Sequence, residues 1–125
     1  MAPESSGRIP PAGRLTRAAD LEAVRLTGKR IRTATVELRT LASLRRLPRV
    51  GVIVPRHRHS AVARNLVKRR LRELIRRSLW PTLLAHPPHD VVVRAAPAAY
   101  GATMAALETD FANALRRLSA TATAR

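Results

Sequence analysis

The clearest pattern in the chain is a helical one. Ala63, Val67, Leu71, Leu74 and Ile75 fall on one arc at 100° per residue. Ser60 stands where an N-cap belongs, so a helix is predicted over about residues 61–79. Pro81 and the pair Pro87-Pro88 are expected to end that region. A second helical stretch opens near Thr16, read as its cap, with Leu15, Ala18, Ala19, Leu21 and Val24 recurring until Gly28. A third starts near Thr103 and places Leu107, Phe111, Leu115 and Leu118 on one face.

The other apolar runs have strand character. From Ile31 to Arg39, β-branched residues alternate: Ala34, Val36 and Leu38 on one side, Thr33, Thr35, Glu37 and Arg39 on the other. This predicts one half-buried strand with a polar face. Val50 to Val54 is almost all apolar and closes at Pro55, and Asp90 to Val93 is another buried strand, followed by a turn around Pro97 and Gly101. Residues 1–13, with three prolines and two glycines, are expected to be a flexible arm, and residues 120–125 a frayed tail. The order αββαβα, without internal repeats, predicts a single α/β domain over residues 14–119. It is an α+β sandwich of a small mixed sheet packed with helices.

Charge changes the picture. Lys and Arg number 24 against 8 Asp and Glu, a formal net charge of +16, and only Lys29 and Lys68 are lysines. Between Arg64 and Arg77 the helix carries seven cations and the single acid Glu73. Arg64, Lys68, Arg72 and Arg76 follow one another at intervals of four, flanked by Asn65 and Arg69. Like charges four apart destabilise an isolated helix by roughly 0.2–0.5 kcal/mol per pair, a cost that a row of phosphates would reverse. Guanidinium also grips phosphate with two parallel hydrogen bonds, which ammonium cannot do. A polyanionic partner is the reading this favours over a merely solvated helix face.

No apolar run approaches the roughly 20 residues that span a bilayer, and the N-terminus lacks the apolar core of a secretory signal. A cytoplasmic protein with no membrane partner is therefore expected, and the absence of cysteine fits it. The five glycines are scattered and match no phosphate-binding motif. The acids are too few and dispersed for a carboxylate nuclease site, and no Ser-His-Asp order stands out. His57 and His59, flanked by Arg56 and Arg58, form a poor metal site, so no metal is expected. His86 and His89 read as exposed polar residues, Trp80 as a packing anchor, and Phe111 as core. No catalytic residue is assigned.

Arg56 to Glu73, RHRHSAVARNLVKRRLRE, resembles the signature of the protein subunit of bacterial ribonuclease P. Arg64, Asn65, Lys68, Arg69, Arg70, Leu71, Arg72 and Glu73 match as they stand. So do Arg14-Leu15, Asp20-Leu21, Val24, Gly28, Arg49-Val50-Gly51, Asp90 to Val93 and Pro97. The resemblance implies a left-handed crossover through the basic helix, against the usual right-handed rule. It implies that Arg56, Arg64, Asn65, Lys68, Arg69, Arg72 and Arg76 bind the catalytic RNA. It further implies a cleft between the first helix and the open sheet face for the 5′ leader of precursor tRNA, at Leu21, Arg25, Thr33, Thr35 and Arg39, with Glu37 on the same polar face. The reaction implied is endonucleolytic removal of that leader, with Mg²⁺ in an RNA-based active site and no cofactor on the protein.

This sequence departs from the family pattern at three places. Leu66 replaces the second arginine of the Arg-Asn-Arg signature. Pro55 and Arg56-His57-Arg58-His59 replace a serine and a lysine-rich loop. Leu21, Arg25 and Arg39 stand where the family carries aromatics, so apolar contact and stacked guanidinium must replace base stacking. A structural RNA-binding protein, such as a ribosomal one, shares the charge and the missing active site. A helix-turn-helix DNA binder is disfavoured because strands flank the basic helix on both sides, and no DNA partner is expected.

Overall fold

A computed structural model describes residues 8–123, with side chains through residue 120. The elements run α1 (Ala18–Thr27), β1 (Lys29–Arg32), β2 (Val36–Ala42), β3 (Arg49–Ile53), α2 (Ala61–Leu74), α3 (Trp80–Leu84), β4 (His89–Ala95) and α4 (Met104–Thr123). Among the described residues one four-stranded sheet forms, in the order β1-β2-β4-β3. β1–β2 and β2–β4 are antiparallel, whereas β3–β4 is parallel, with α2 and α3 in the connection.

The predicted first strand is in fact a hairpin. Thr33 to Thr35 keep the alternation going in sequence, but they turn the chain instead of extending it. Thr33 donates to Val36 O from both its N–H and its Oγ1, each at 2.9 Å. Thr35 is buried, and its Oγ1 and N–H donate to Asp110 Oδ2 of α4 at 2.6 and 3.1 Å. The order therefore contains three strands before α2, not two.

The two faces of the sheet bury different partners. Ile31, Val36, Leu38, Val91, Val93 and Ala95 pack against α2, α3 and α4 in the main core, where Phe111 and Leu71 are fully buried. The opposite face carries α1 on a small apolar cluster of Leu15, Val24 and Val92, with Leu21, Leu41 and Ile53 beside it. Of the apolar positions expected in the first helix only Val24 is buried within α1; Ala18 and Ala19 are exposed. Its N-cap is Arg17, not Thr16, and makes no side-chain cap bond.

Three boundaries also move. Pro81 does not end the basic region. A π-helical turn, Ile75–Leu79, follows α2, the Trp80 N–H reaches back to Ile75 O, and Pro81 then sits in the first turn of α3. Proline in a helix removes a donor and crowds the carbonyl four residues back, and a π turn is one way the chain accommodates such crowding. Within the expected arm, Pro11–Gly13 forms a 3₁₀ turn with Gly13 buried; a Cβ there would lie 2.5 Å from Trp80 Cη2. Residues 1–7 lie outside the described residues. α4 continues to Thr123, through part of the expected tail.

Candidate RNA interface

α2 is built as its sequence dictates. Ser60 Oγ accepts from Ala63 N–H at 3.1 Å, and Val67, Leu71, Leu74 and Ile75 are buried against the sheet. That orientation leaves Asn65, Arg69 and Arg72 exposed and Arg64, Lys68 and Arg76 half-buried along one side. Arg64 is not a free cation: its Nε donates to Val54 O at 2.7 Å, tying the helix to the end of β3. Arg76 grips both oxygens of Glu73 at 3.2 and 2.6 Å, which holds that carboxyl below its usual range. Arg77 bridges Glu73 and Glu108, and Arg70 donates to Ala102 O. Lys68 and Arg72 have no acid or hydrogen-bond partner among the described residues. Partial burial, and then the charges of Arg64 and Arg72, push the Lys68 ammonium below the ordinary lysine value. The stripe is thus a row of cations with an unneutralised centre.

The loop before α2 is held by an aromatic clamp. His57 and Arg58 take positive φ values of 47° and 70°, a conformation that costs non-glycine residues energy unless neighbours enforce it. Tyr100 does so: its hydroxyl donates to Pro55 O at 2.5 Å, His59 stacks flat on its ring at 3.9 Å, and His57 meets the ring edge-on. Arg56 and Arg58 are left exposed on this loop.

On the α1 side, strand register places Arg32, Glu37, Arg94 and Ile53 in one row across the sheet, and Arg30, Arg39, Val92 and Gly51 in the next. Leu21, Arg25 and Arg39 do come together here. Arg39 Nη1 donates to Arg25 O at 2.8 Å, and Leu21 packs on the cluster under α1. The Arg25 guanidinium is folded back on Glu22, at 3.0 and 2.5 Å, and Glu37 lies between Arg30 and Arg39 at 3.5 and 3.2 Å. Thr35 does not join this face, because it points into the contact with α4, whereas Thr33, in the hairpin turn, lines a pocket with Arg32, Glu37 and Arg94 at the end of the face. The polar face is supplied by Arg30, Arg32 and Arg94, which the sequence reading passed over. The alternation Arg30-Ile31-Arg32 would have exposed the first two had the strand been started at Lys29.

Other side chains settle as packing. Trp80 and Phe111 are core. His86, expected to be exposed, is half-buried with both ring nitrogens shielded and without a hydrogen bond. Among the described residues no three His, Asp or Glu side chains converge as metal ligands, and no helix is long and apolar enough to cross a membrane.

Residues 9–119 match the family described as Ribonuclease P. The chain is 36% identical over 115 residues to the ribonuclease P protein component of Acidothermus cellulolyticus, covering 90% of this chain and 93% of that one. It is 36% identical over 94 residues to that of Syntrophobacter fumaroxidans, covering 75% and 77%. The fold is similar to the RNase P protein of Staphylococcus aureus, with a TM-score of 0.72 at 21% identity over 85% of this chain and 94% of that one. It is also similar to that of Thermotoga maritima, with a TM-score of 0.69 at 23% identity over 83% and 96%. A match that runs from the N-terminal turn into α4 and includes the cationic helix leaves one conclusion: this chain belongs to the ribonuclease P protein family.

Proposed function

We propose that the chain acts as the protein subunit of ribonuclease P by holding two RNAs at once. The α2 stripe, with Arg56 from the clamped loop, grips the catalytic RNA, while the α1 face of the sheet receives the 5′ leader of precursor tRNA. The observation that carries this reading is the unneutralised pair Lys68 and Arg72 at the centre of the stripe, with exposed Arg69 beside them, on a helix where Arg64, Arg70, Arg76 and Arg77 are already tied to protein groups. Isolated like charges raise the free energy of the folded chain unless phosphates neutralise them.

The chemistry belongs to the RNA. Mg²⁺ held there would activate the attacking water. The donor set on the stripe does not suit a divalent cation, because Glu73 is its single carboxylate and Arg76 and Arg77 occupy it. The protein lowers repulsion between the two RNAs and orders the leader. On the leader face, Leu21 offers apolar contact, and Arg25, Arg39, Arg30 and Arg94 offer guanidinium planes for bases and forks for phosphates. Such work belongs in the bacterial cytoplasm, where precursor tRNA is made.

Purified full-length protein added to its cognate catalytic RNA should stimulate leader removal at low Mg²⁺, while the protein alone cleaves nothing. A structural RNA-binding protein predicts no stimulation. The Lys68→Ala/Arg72→Ala variant should flatten the plot of log affinity against log salt by about 1.4–1.8, two phosphate contacts' worth. An unchanged slope would remove the stripe from the interface.

A further inference from the structure

β3 lies at the edge of the sheet, and its outer side faces a groove of about 650 Å³ between the segment from Arg8 to Thr16 and α2. That is within the range of small-ligand sites, about 300–1,000 Å³. Leu15, Leu21, Val50, Val52 and Ile75 give it apolar walls. Arg14, Lys68, Arg72 and Arg76 bring cations to it. Its shape depends on Gly51, since a Cβ there would lie 2.7 Å from Leu15 O and 2.8 Å from Leu21 Cδ2.

The backbone of β3 adds a third kind of contact. Val50 O accepts from Leu15 N–H at 2.9 Å, and Val54 O accepts from Arg64 Nε at 2.7 Å. In a parallel ladder, alternate residues turn both backbone groups to the same side. The N–H and C=O of Val52, between these two, therefore lie on the same outer edge and open onto the groove. Apolar walls, a free donor and acceptor, and a cationic rim are three separate features of one cavity. Together they match a base, its hydrogen-bonding edge and its phosphate.

We infer that this groove takes one unstacked nucleotide of the bound RNA, with the base against Leu15, Leu21 and Val50, its edge on the Val52 backbone, and its phosphate on Lys68 and Arg72. The inference rests on the reading of α2 as an RNA-binding helix and deepens it: the stripe would capture a flipped, single-stranded nucleotide in addition to tracking phosphates along a duplex. The occupant is argued from charge complementarity: an apolar peptide would leave Lys68 and Arg72 unneutralised, whereas a nucleotide brings a phosphate to them. The groove starts at Leu21, where the leader face ends, so it would join the two RNA surfaces around the sheet edge.

The test uses the full-length, isotopically labelled protein at low salt, titrated with adenosine 5′-monophosphate, adenosine or inorganic phosphate and followed by NMR. The monophosphate should shift the Gly51 and Val52 amides and the Leu15, Leu21 and Val50 methyls in a saturable way. Adenosine should reach those shifts only at much higher concentration, and phosphate should move the signals of Lys68 and Arg72 alone. Lys68→Ala/Arg72→Ala should weaken the monophosphate by about tenfold or more, since both charge-assisted contacts to its phosphate are lost. Shifts identical with phosphate and with monophosphate, shifts that map elsewhere, or full affinity in the variant would each overturn the inference. If the groove signals stay still while the variant flattens the salt plot for the catalytic RNA, the nucleotide pocket falls and the RNA-binding reading stands.

Discussion

Arg49 and Asp90 face each other across the β3–β4 ladder, and the guanidinium spans both carboxylate oxygens at 3.0 and 2.7 Å while also reaching Asp20 of α1 at 3.2 Å. One side chain thus fastens the edge strand to the sheet and the sheet to α1 on its face. Both partners are largely buried. Removing one partner leaves a charge without compensation, so Asp90→Ala should cost about 3 kcal/mol. Arg49→Met with Asp90→Val should recover most of that, because an apolar pair of similar volume carries no desolvation cost. Urea unfolding of the two variants measures both.

Arg64 should behave differently from its neighbours on the stripe. Its Nε bond to Val54 O makes it structural, so Arg64→Ala should lower stability by about 1 kcal/mol. Lys68→Ala and Arg72→Ala should leave stability unchanged or slightly raised, since each removes like-charge repulsion and alanine is the better helix former. Thermal unfolding separates these outcomes before any RNA is added.

Lys68 supplies a pH signature. Partial burial and the charges of Arg64 and Arg72 lower its folded-state pKa, so the charged form is less favourable in the folded protein than in the unfolded chain. Below the folded value both states are charged and folding carries the full cost. As pH rises through the folded value toward the ordinary lysine value, the folded state loses its proton first and the cost is relieved. The wild type should therefore gain stability relative to Lys68→Met across that alkaline window, and show no such relative gain near neutrality. Parallel denaturation curves from neutral to alkaline pH would test it.

Tyr100 should act on RNA binding without carrying charge. Tyr100→Ala removes the bond to Pro55 O and the stack with His59, together about 1–2 kcal/mol of local order. Catalytic-RNA affinity should fall by up to about tenfold, with the salt slope preserved because no cation is lost. Tyr100→Phe keeps the ring and should lose less. Faster amide exchange in residues 56–59 of the alanine variant should accompany the loss.

Short-range patterns in the sequence carried much of this. Ser60, the arc of Val67, Leu71, Leu74 and Ile75, and the four-residue spacing of the cations are all local. Helical periodicity is written in side chains a turn apart, so α2 and its exposed cations could be read directly. The same locality misled at Thr33 to Thr35, where β-branched residues continue an alternation that the chain does not follow. What makes the turn is partly Asp110, 75 positions away, which buries Thr35 against α4. Pro81 read as a stop because the π turn that accommodates it has no signal of its own. Tertiary structure alone decided that Arg64 is spent on Val54, that Tyr100 holds the His57–His59 loop, and that Arg30, Arg32 and Arg94 share a face with Arg39. It also decided that the sheet edge meets the cationic stripe in one groove. Each of these depends on which strands become neighbours, and that is set by burying both faces of the sheet at once, a condition on the whole chain that no local window contains.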